Sequence, residues 1–239
     1  AGQDCSLEEV GQHLKKLYSN TVDTLNGKVH DFKAKQKTIQ KYITQHPNSY
    51  VALWDLVIDY AIYKNWKNDD DIKMILKNAL LLSSTIKKTT TYKTLLENIK
   101  KDLELSSGKT FPNIRLNSTD SLIPIVKKNK FTLVDFWFSG CVPCVRQFPS
   151  YKVSYDLNKS KGFEIIGISI DGKKEEADWH KIIQTMNLNW LQYLATNNLT
   201  RKLHISGFPT NYLLDNEGKI IKVNIEPEEL ERFLQQNLH

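Results

Sequence analysis

Apolar residues in the first hundred positions recur at helical spacing. Leu7, Val10, Leu14, Leu17, Tyr18, Val22 and Leu25 form one stripe. It is introduced by Ser6-Leu-Glu-Glu9, a capping box in which the Ser6 hydroxyl accepts from the Glu9 amide while Glu9 reaches back. Gly27 marks a break. A second stripe runs through Val29, Phe32, Ile39, Tyr42 and Ile43 and stops at Pro47. Asn48 or Ser49 caps a third helix from Tyr50 to about Trp66, and Asp69 caps a fourth holding Ile72, Ile75, Leu76, Ala79 and Leu80. A fifth passes through Tyr92, Leu95, Leu96, Ile99 and Leu103 and runs out at Ser106-Ser107-Gly108. Residues 1–107 therefore read as an all-α domain.

From residue 108 the period alternates. Ile114-Arg-Leu116 predicts a short strand, and Phe131 to Phe138 a strand buried on both faces, which suits a parallel sheet. A helix follows to about Asn158. Phe163 to Ile170 is a second strand, and Lys174 to Met186 a helix. A helical patch spans about Asn197 to His204. Asn211–Leu214 and Ile220–Val223, joined by Asp215-Asn-Glu-Gly-Lys219, make a hairpin. Pro227-Glu-Glu opens a last helix with Leu230, Phe233 and Leu234 on one side. Residues 108–239 are thus an α/β domain with a mixed sheet and an antiparallel end.

Composition narrows the function. The net charge of +6 is shared evenly between 1–107 and 108–239, and no block of basic residues occurs, so a nucleic-acid partner is excluded. The densest apolar run, Val51 to Tyr63, carries Asp55 and Asp59 and reads as a buried helix, not a membrane span. The chain begins at Ala1, which suggests that a signal peptide has been removed. Gly2-Gln3-Asp4 lacks the small uncharged residues of a lipoprotein cleavage site, so no lipid anchor is expected at Cys5.

Chemistry concentrates at Cys141-Val142-Pro143-Cys144, where strand passes into helix. Unpaired amides at a helix N-terminus favour thiolate over thiol at Cys141, and Cys144 one turn on is close enough to close a disulfide. A zinc site would need two further ligands, and no second Cys-x-x-Cys or His pair exists; no metal is expected. Asp69-Asp70-Asp71 lacks the glycine and glutamate of a calcium loop and reads as helix capping. His13, His30 and His46 are not at ligand spacing.

Val134-Asp-Phe-Trp-Phe-Ser-Gly-Cys-Val-Pro-Cys144, Pro149, and Gly207-Phe-Pro-Thr210 before the hairpin together resemble the thioredoxin fold. Gly108-Lys-Thr-Phe-Pro112 resembles the entry of its ResA/TlpA-like thiol-disulfide oxidoreductases. The gap between Cys144 and Pro209 has room for the extra strand–helix unit of that branch. A preceding helical segment looks like the two-part Bacteroidetes-type members.

The resemblance implies roles. Cys141 attacks a protein disulfide and Cys144 resolves the mixed disulfide. Asp135, a buried acid of raised pKa, takes the Cys144 proton. Pro209 is a cis-proline, and with Phe208, Trp137, Gly140, Val142 and Pro143 it contacts substrate, Pro209 presenting backbone for strand addition. No cofactor is implied beyond the redox-active Cys141–Cys144 disulfide. The implied partners are disulfide-bearing proteins and an upstream thiol electron donor, in the periplasm or envelope. Self-association is suggested only by the helical character of 1–107.

Two positions depart from the pattern. Gly140 replaces a frequent Trp and should leave the face flatter and less aromatic. Gln147 stands where ResA-like chains place a glutamate, and it cannot carry a proton. A peroxiredoxin is excluded because its upstream Pro and Thr or Ser positions hold Val134 and Phe138. The non-enzymatic alternative is a partner-binding or chaperone module whose cysteine pair is incidental.

Overall fold

The computed structural model describes residues 32–63, 69–195, 198–205 and 207–239. The expected helix over 6–25, the break at Gly27, Cys5 and the tail of the third helix to Trp66 lie outside the described residues. Among those described, the chain divides into a helical unit (32–63 and 70–99) and an α/β unit (69 and 100–239).

The helical unit contains α1 (Phe32–Gln45), α2 (Tyr50–Tyr63), α3 (Asp69–Ala79), the short α4 (Ser84–Lys87) and most of α5 (Thr90–Glu104). The predicted stripes are the buried faces: Phe32, Ile39 and Ile43 on α1, Ile72, Ile75 and Ala79 on α3, and Tyr92, Leu95 and Ile99 on α5. Ser49 caps α2, its Oγ accepting from Ala52 N at 3.2 Å. One turn went unpredicted: α4, capped by Ser83.

This unit also buries a polar cluster. Asp59 on α2 pairs with Lys35 and accepts from Gln36 Nε2 at 2.6 Å, and Asn78 Nδ2 donates to Gln36 Oε1 at 2.8 Å. Burial pushes the neighbouring Asp55 up to about 6 while Lys35 pulls it down, so Lys35 balances two buried carboxyls. Removing one partner of such a pair leaves an uncompensated charge, at a cost of about 3–5 kcal/mol. Lys35→Met is therefore expected to unfold the helical unit at markedly lower denaturant, measured by helical circular dichroism.

The α/β unit is a five-stranded sheet in the order β3-β2-β1-β4-β5. Its strands are β1 (Phe131–Trp137), β2 (Phe163–Ser169), β3 (Leu191–Leu194), β4 (Thr210–Asp215) and β5 (Ile220–Val223). β1 lies parallel to β2 and antiparallel to β4, so the sheet is mixed as its sequence predicts. Alternation along β1 sends Leu133, Asp135 and Trp137 to one face and Val134 and Phe136 to the other. The first face packs on α7 (Val142–Asn158) and α10 (Pro227–Asn237), through Phe148, Tyr151, Tyr155, Leu230 and Leu234. The second covers Phe111, Leu122, Val126 and Tyr212. Leu122 and Val126 belong to α6 (Leu122–Val126). α8 (Glu176–Thr185) and α9 (Leu199–Lys202) complete the unit.

The predicted strand at 114–116 is not one. Arg115 makes an isolated bridge to Ser121, and the chain turns between them because Asn117 Oδ1 accepts from the Thr119 and Asp120 amides at 2.8 and 2.6 Å. Upstream, the Gly108 amide donates to Ile220 O at 2.8 Å, Ile220 N donates to Lys109 O at 2.7 Å, and Phe111 N donates to Gly218 O at 2.8 Å. The entry segment thus runs along β5. The β4–β5 turn closes as expected: Asp215 Oδ1 accepts from Glu217 N and Lys219 N, and Gly218 takes the positive φ of 81°.

Candidate active site

β1 delivers its C-terminal end to a two-residue turn, Ser139-Gly140, and α7 begins directly after. Cys141 is the N-cap: its Sγ accepts from Cys144 N at 3.3 Å, and Pro143 sits in the first turn, where a missing amide costs no helix bond. Cys141 and Cys144 are joined as a disulfide with Cα atoms 5.3 Å apart. Pro149 lies inside α7. The orphan amides of the first turn and the helix dipole both favour negative charge at Cys141 once the bond is reduced.

The Phe208–Pro209 peptide is cis. It precedes β4, whose first residue, Thr210, pairs with Phe136, so it is carried to the same end of the sheet as the cysteines. Phe208 packs on the cluster that contains both of them. At the rim Val142 is 58 % exposed, and Pro143 and Gly140 are exposed too.

One expectation about this face needs correcting. Trp137 was expected to touch substrate, but it is fully buried, stacked edge-to-face on Phe148 at 5.0 Å. It is a wall behind the disulfide, since β1 continues into the core there. At Gly140 a side chain would begin 3.2 Å from the Phe138 ring, and that ring stacks edge-to-face on Phe208 at 5.5 Å.

Asp135 lies two residues before Trp137 on the same face and is 2 % exposed. Burial alone pushes its carboxyl up to about 7. Its cross-strand neighbour Asn211 anchors a hydrogen-bonded chain leading outward. Asn211 Nδ2 donates to Tyr151 Oη at 3.0 Å, Tyr151 Oη to Gln147 Oε1 at 3.3 Å, and Gln147 Nε2 to Glu226 Oε2 at 3.3 Å. Asn211 Oδ1 also accepts from Ile225 N at 2.9 Å, locking β4 to the start of α10. Gln147, unable to carry a proton, thus joins a carboxylate from another helix to the core.

Sequence reasoning missed Asp171. Its carboxylate accepts from Ser139 N at 2.8 Å, Ser139 Oγ at 2.9 Å and Ser169 Oγ at 2.6 Å. It brackets the turn that presents Cys141. The only signal was an acid directly after a parallel strand, and that strand's neighbour was unknown without register.

The family to which this geometry belongs can be tested by comparison. A thioredoxin-like family model matches residues 129–220. The thiol-disulfide oxidoreductase ResA of Bacillus subtilis is 29% identical over 122 residues, covering 50% of this chain and 67% of that protein. The thioredoxin domain of a thiol-disulfide oxidoreductase from Bacteroides vulgatus is 33% identical, with a TM-score of 0.51, over 56% of this chain and 99% of that domain. A thioredoxin-like protein from Bacteroides caccae, 19% identical, matches the fold over 95% of this chain and 84% of its own, with a TM-score of 0.67. With a cysteine pair heading a helix beside a cis-proline, and with 33% identity to that Bacteroides domain across nearly all of the domain's length, the chain belongs to the thioredoxin-fold thiol-disulfide oxidoreductases.

Proposed function

We propose that the Cys141-Val142-Pro143-Cys144 pair reduces disulfides of protein substrates in the bacterial envelope and is itself re-reduced by an upstream thiol donor. The observation that carries this reading is the placement of the pair at the start of α7, on the face of β1 that buries Asp135.

In the reduced enzyme the Cys141 thiolate attacks one sulfur of the substrate disulfide. That bond breaks, a mixed disulfide forms, and the other substrate sulfur leaves as a thiolate that solvent protonates. Cys144 then loses its proton to Asp135 and attacks the Cys141 sulfur. The mixed disulfide breaks, the Cys141–Cys144 bond forms, and the substrate departs as a dithiol. Two electrons have moved from enzyme to substrate. Val142, Pro143 and Gly140 at the rim, with Phe208 and Pro209, receive the substrate chain; Pro209 presents backbone to an extended segment.

The envelope assignment is supported by the need for a compartment in which disulfides persist and by bacterial relatives named for this chemistry. Among the described residues no helix is long and apolar enough to cross a membrane.

A redox titration of the pair, with insulin reduction followed by turbidity, tests direction. The expected midpoint lies toward the reducing end of the fold's span, about −270 mV, with turnover by the wild type. A midpoint near about −120 mV would make the protein an oxidant instead.

A further inference from the structure

The register of the sheet sets four residues in one row on the face behind the disulfide. Gln192 on β3 pairs with Gly167 on β2, Gly167 with Asp135 on β1, and Asp135 with Asn211 on β4, whose backbone bonds to Asn224. Residues in register share a face, so this is a polar belt within an otherwise apolar layer.

Two atoms of the belt are buried without a hydrogen-bond partner among the described residues: Asp135 Oδ1 and Gln192 Nε2. The Gln192 carboxamide is held in place from two sides. Trp137 Nε1 donates to its Oε1 at 3.3 Å. An indole nitrogen only donates, so the atom it meets is the oxygen, and both amide protons remain for another acceptor. The carboxamide also lies flat over Gly167, where a Cβ would fall 2.3 Å from Oε1 and 2.9 Å from Nε2. Glycine at 167 is what makes room for it.

Strand spacing sets the scale of the gap between the two groups. Neighbouring strands are ~4.8 Å apart, so a carboxamide lying over β2 is about one strand spacing from the carboxyl on β1. This is too far for a direct bond and matches two hydrogen bonds of ~2.8 Å through one water. Leaving both groups unsatisfied would cost each its desolvation.

We propose that Gln192, seated over Gly167 and held by Trp137, is a positioning residue for Asp135, donating to its carboxyl through one bridging water. The inference rests on the reading of Asp135 as acceptor of the Cys144 proton. A donor aimed at a carboxyl favours its ionised form, so Gln192 opposes the upward push of burial and keeps the acid able to ionise near neutral pH. The other groups facing Asp135 do not supply this. Asn211 from β4 is neutral and commits its amide to Tyr151 and Ile225, and Gly167 offers no side chain. On α7 stand the two cysteines and Tyr151, whose hydroxyl is pushed well up by burial and by the carboxylates of Asp135, Glu226 and Glu228. None of these groups carries a positive charge or donates to Asp135 Oδ1.

The test needs no variant at first. In the wild type, the Gln192 side-chain amide signals are followed by NMR across the titration of the Asp135 carboxyl carbon. They are expected to shift with the same midpoint. In Gln192→Leu the Asp135 midpoint should rise by about one pH unit, a tenfold change in its ionisation equilibrium. Insulin reduction at pH 7 should fall about threefold to tenfold, with its pH profile displaced upward to match. Gly167→Ala, which displaces the carboxamide without altering it, should act in the same direction. In an Asp135→Asn background, Gln192→Leu should change turnover less than about twofold. Amide signals that stay flat through the Asp135 titration would overturn the proposal, as would a Gln192→Leu loss that persists without the acid. A wild type that does not reduce insulin would defeat the proposed function alone, because the NMR titration still decides the pairing.

Discussion

Cys144→Ser is expected to stop the reaction halfway, as a covalent adduct between Cys141 and the substrate. The wild type clears that adduct by attack of Cys144 on the Cys141 sulfur, and a serine hydroxyl at this depth cannot replace a thiolate. The adduct should accumulate to near stoichiometry on non-reducing gels and vanish with excess dithiothreitol. Cys141→Ser should form no adduct and lose turnover by about three orders of magnitude or more, the scale seen when an enzyme loses its nucleophile. The asymmetry follows from position. Cys141 is the N-cap and borders the exposed Val142, whereas Cys144 is inside the first turn and packed beneath. An adduct that forms through Cys144 in Cys141→Ser would reverse the two roles.

Asp135→Asn should slow the enzyme while making it more stable, and the two effects have one cause. Burial pushes the folded carboxyl up to about 7, against an ordinary value of 3.8 in the unfolded chain. A raised folded pKa gives stability that is present in full below the unfolded value and is lost as pH rises through the folded value. Three units at ~1.4 kcal/mol each set a ceiling of about 4 kcal/mol lost between about pH 4 and pH 7. The asparagine variant cannot ionise, so its thermal midpoint should exceed that of the wild type at pH 8, and the gap should close toward pH 4. Turnover at pH 7 should drop about a hundredfold, the lower range for removal of an acid–base group, with loss of the pH dependence near 7. A variant no more stable than the wild type at pH 8 would show that burial does not hold the carboxyl above its ordinary range.

Much of the α/β unit was legible because its signals are local. β1 and β2 are seven-residue apolar runs, the hairpin carries Asp-Asn-Glu-Gly at its turn, and Cys-x-x-Cys, Pro149 and Gly-Phe-Pro-Thr each mark a position by residue type. β3 was not legible: four half-exposed residues, Leu191 to Leu194, give neither a run nor a clear alternation. α6 was missed for a similar reason, being five residues with a proline inside. The over-read strand at 114–116 shows the converse, since three alternating residues were outweighed by the Asn117 turn beside them. The residues that surround the cysteines were the hardest to find. Ser139 meets Asp171, Asp135 faces Asn211, and Trp137 meets Gln192 only because of strand register, which no single segment encodes.

The run of backbone bonds between Gly108–Phe111 and β5 has a practical consequence for dissecting the chain. Those bonds, with Ser107 Oγ donating to Ile221 O at 2.7 Å, occupy the open side of the outermost strand of the sheet. A fragment cut to begin at Pro112 would keep every residue of the redox site yet expose a row of unpaired amides and carbonyls, the kind of edge on which chains stack into aggregates. Ser107 to Phe111, which carries no chemistry, thus guards the solubility of the unit that does.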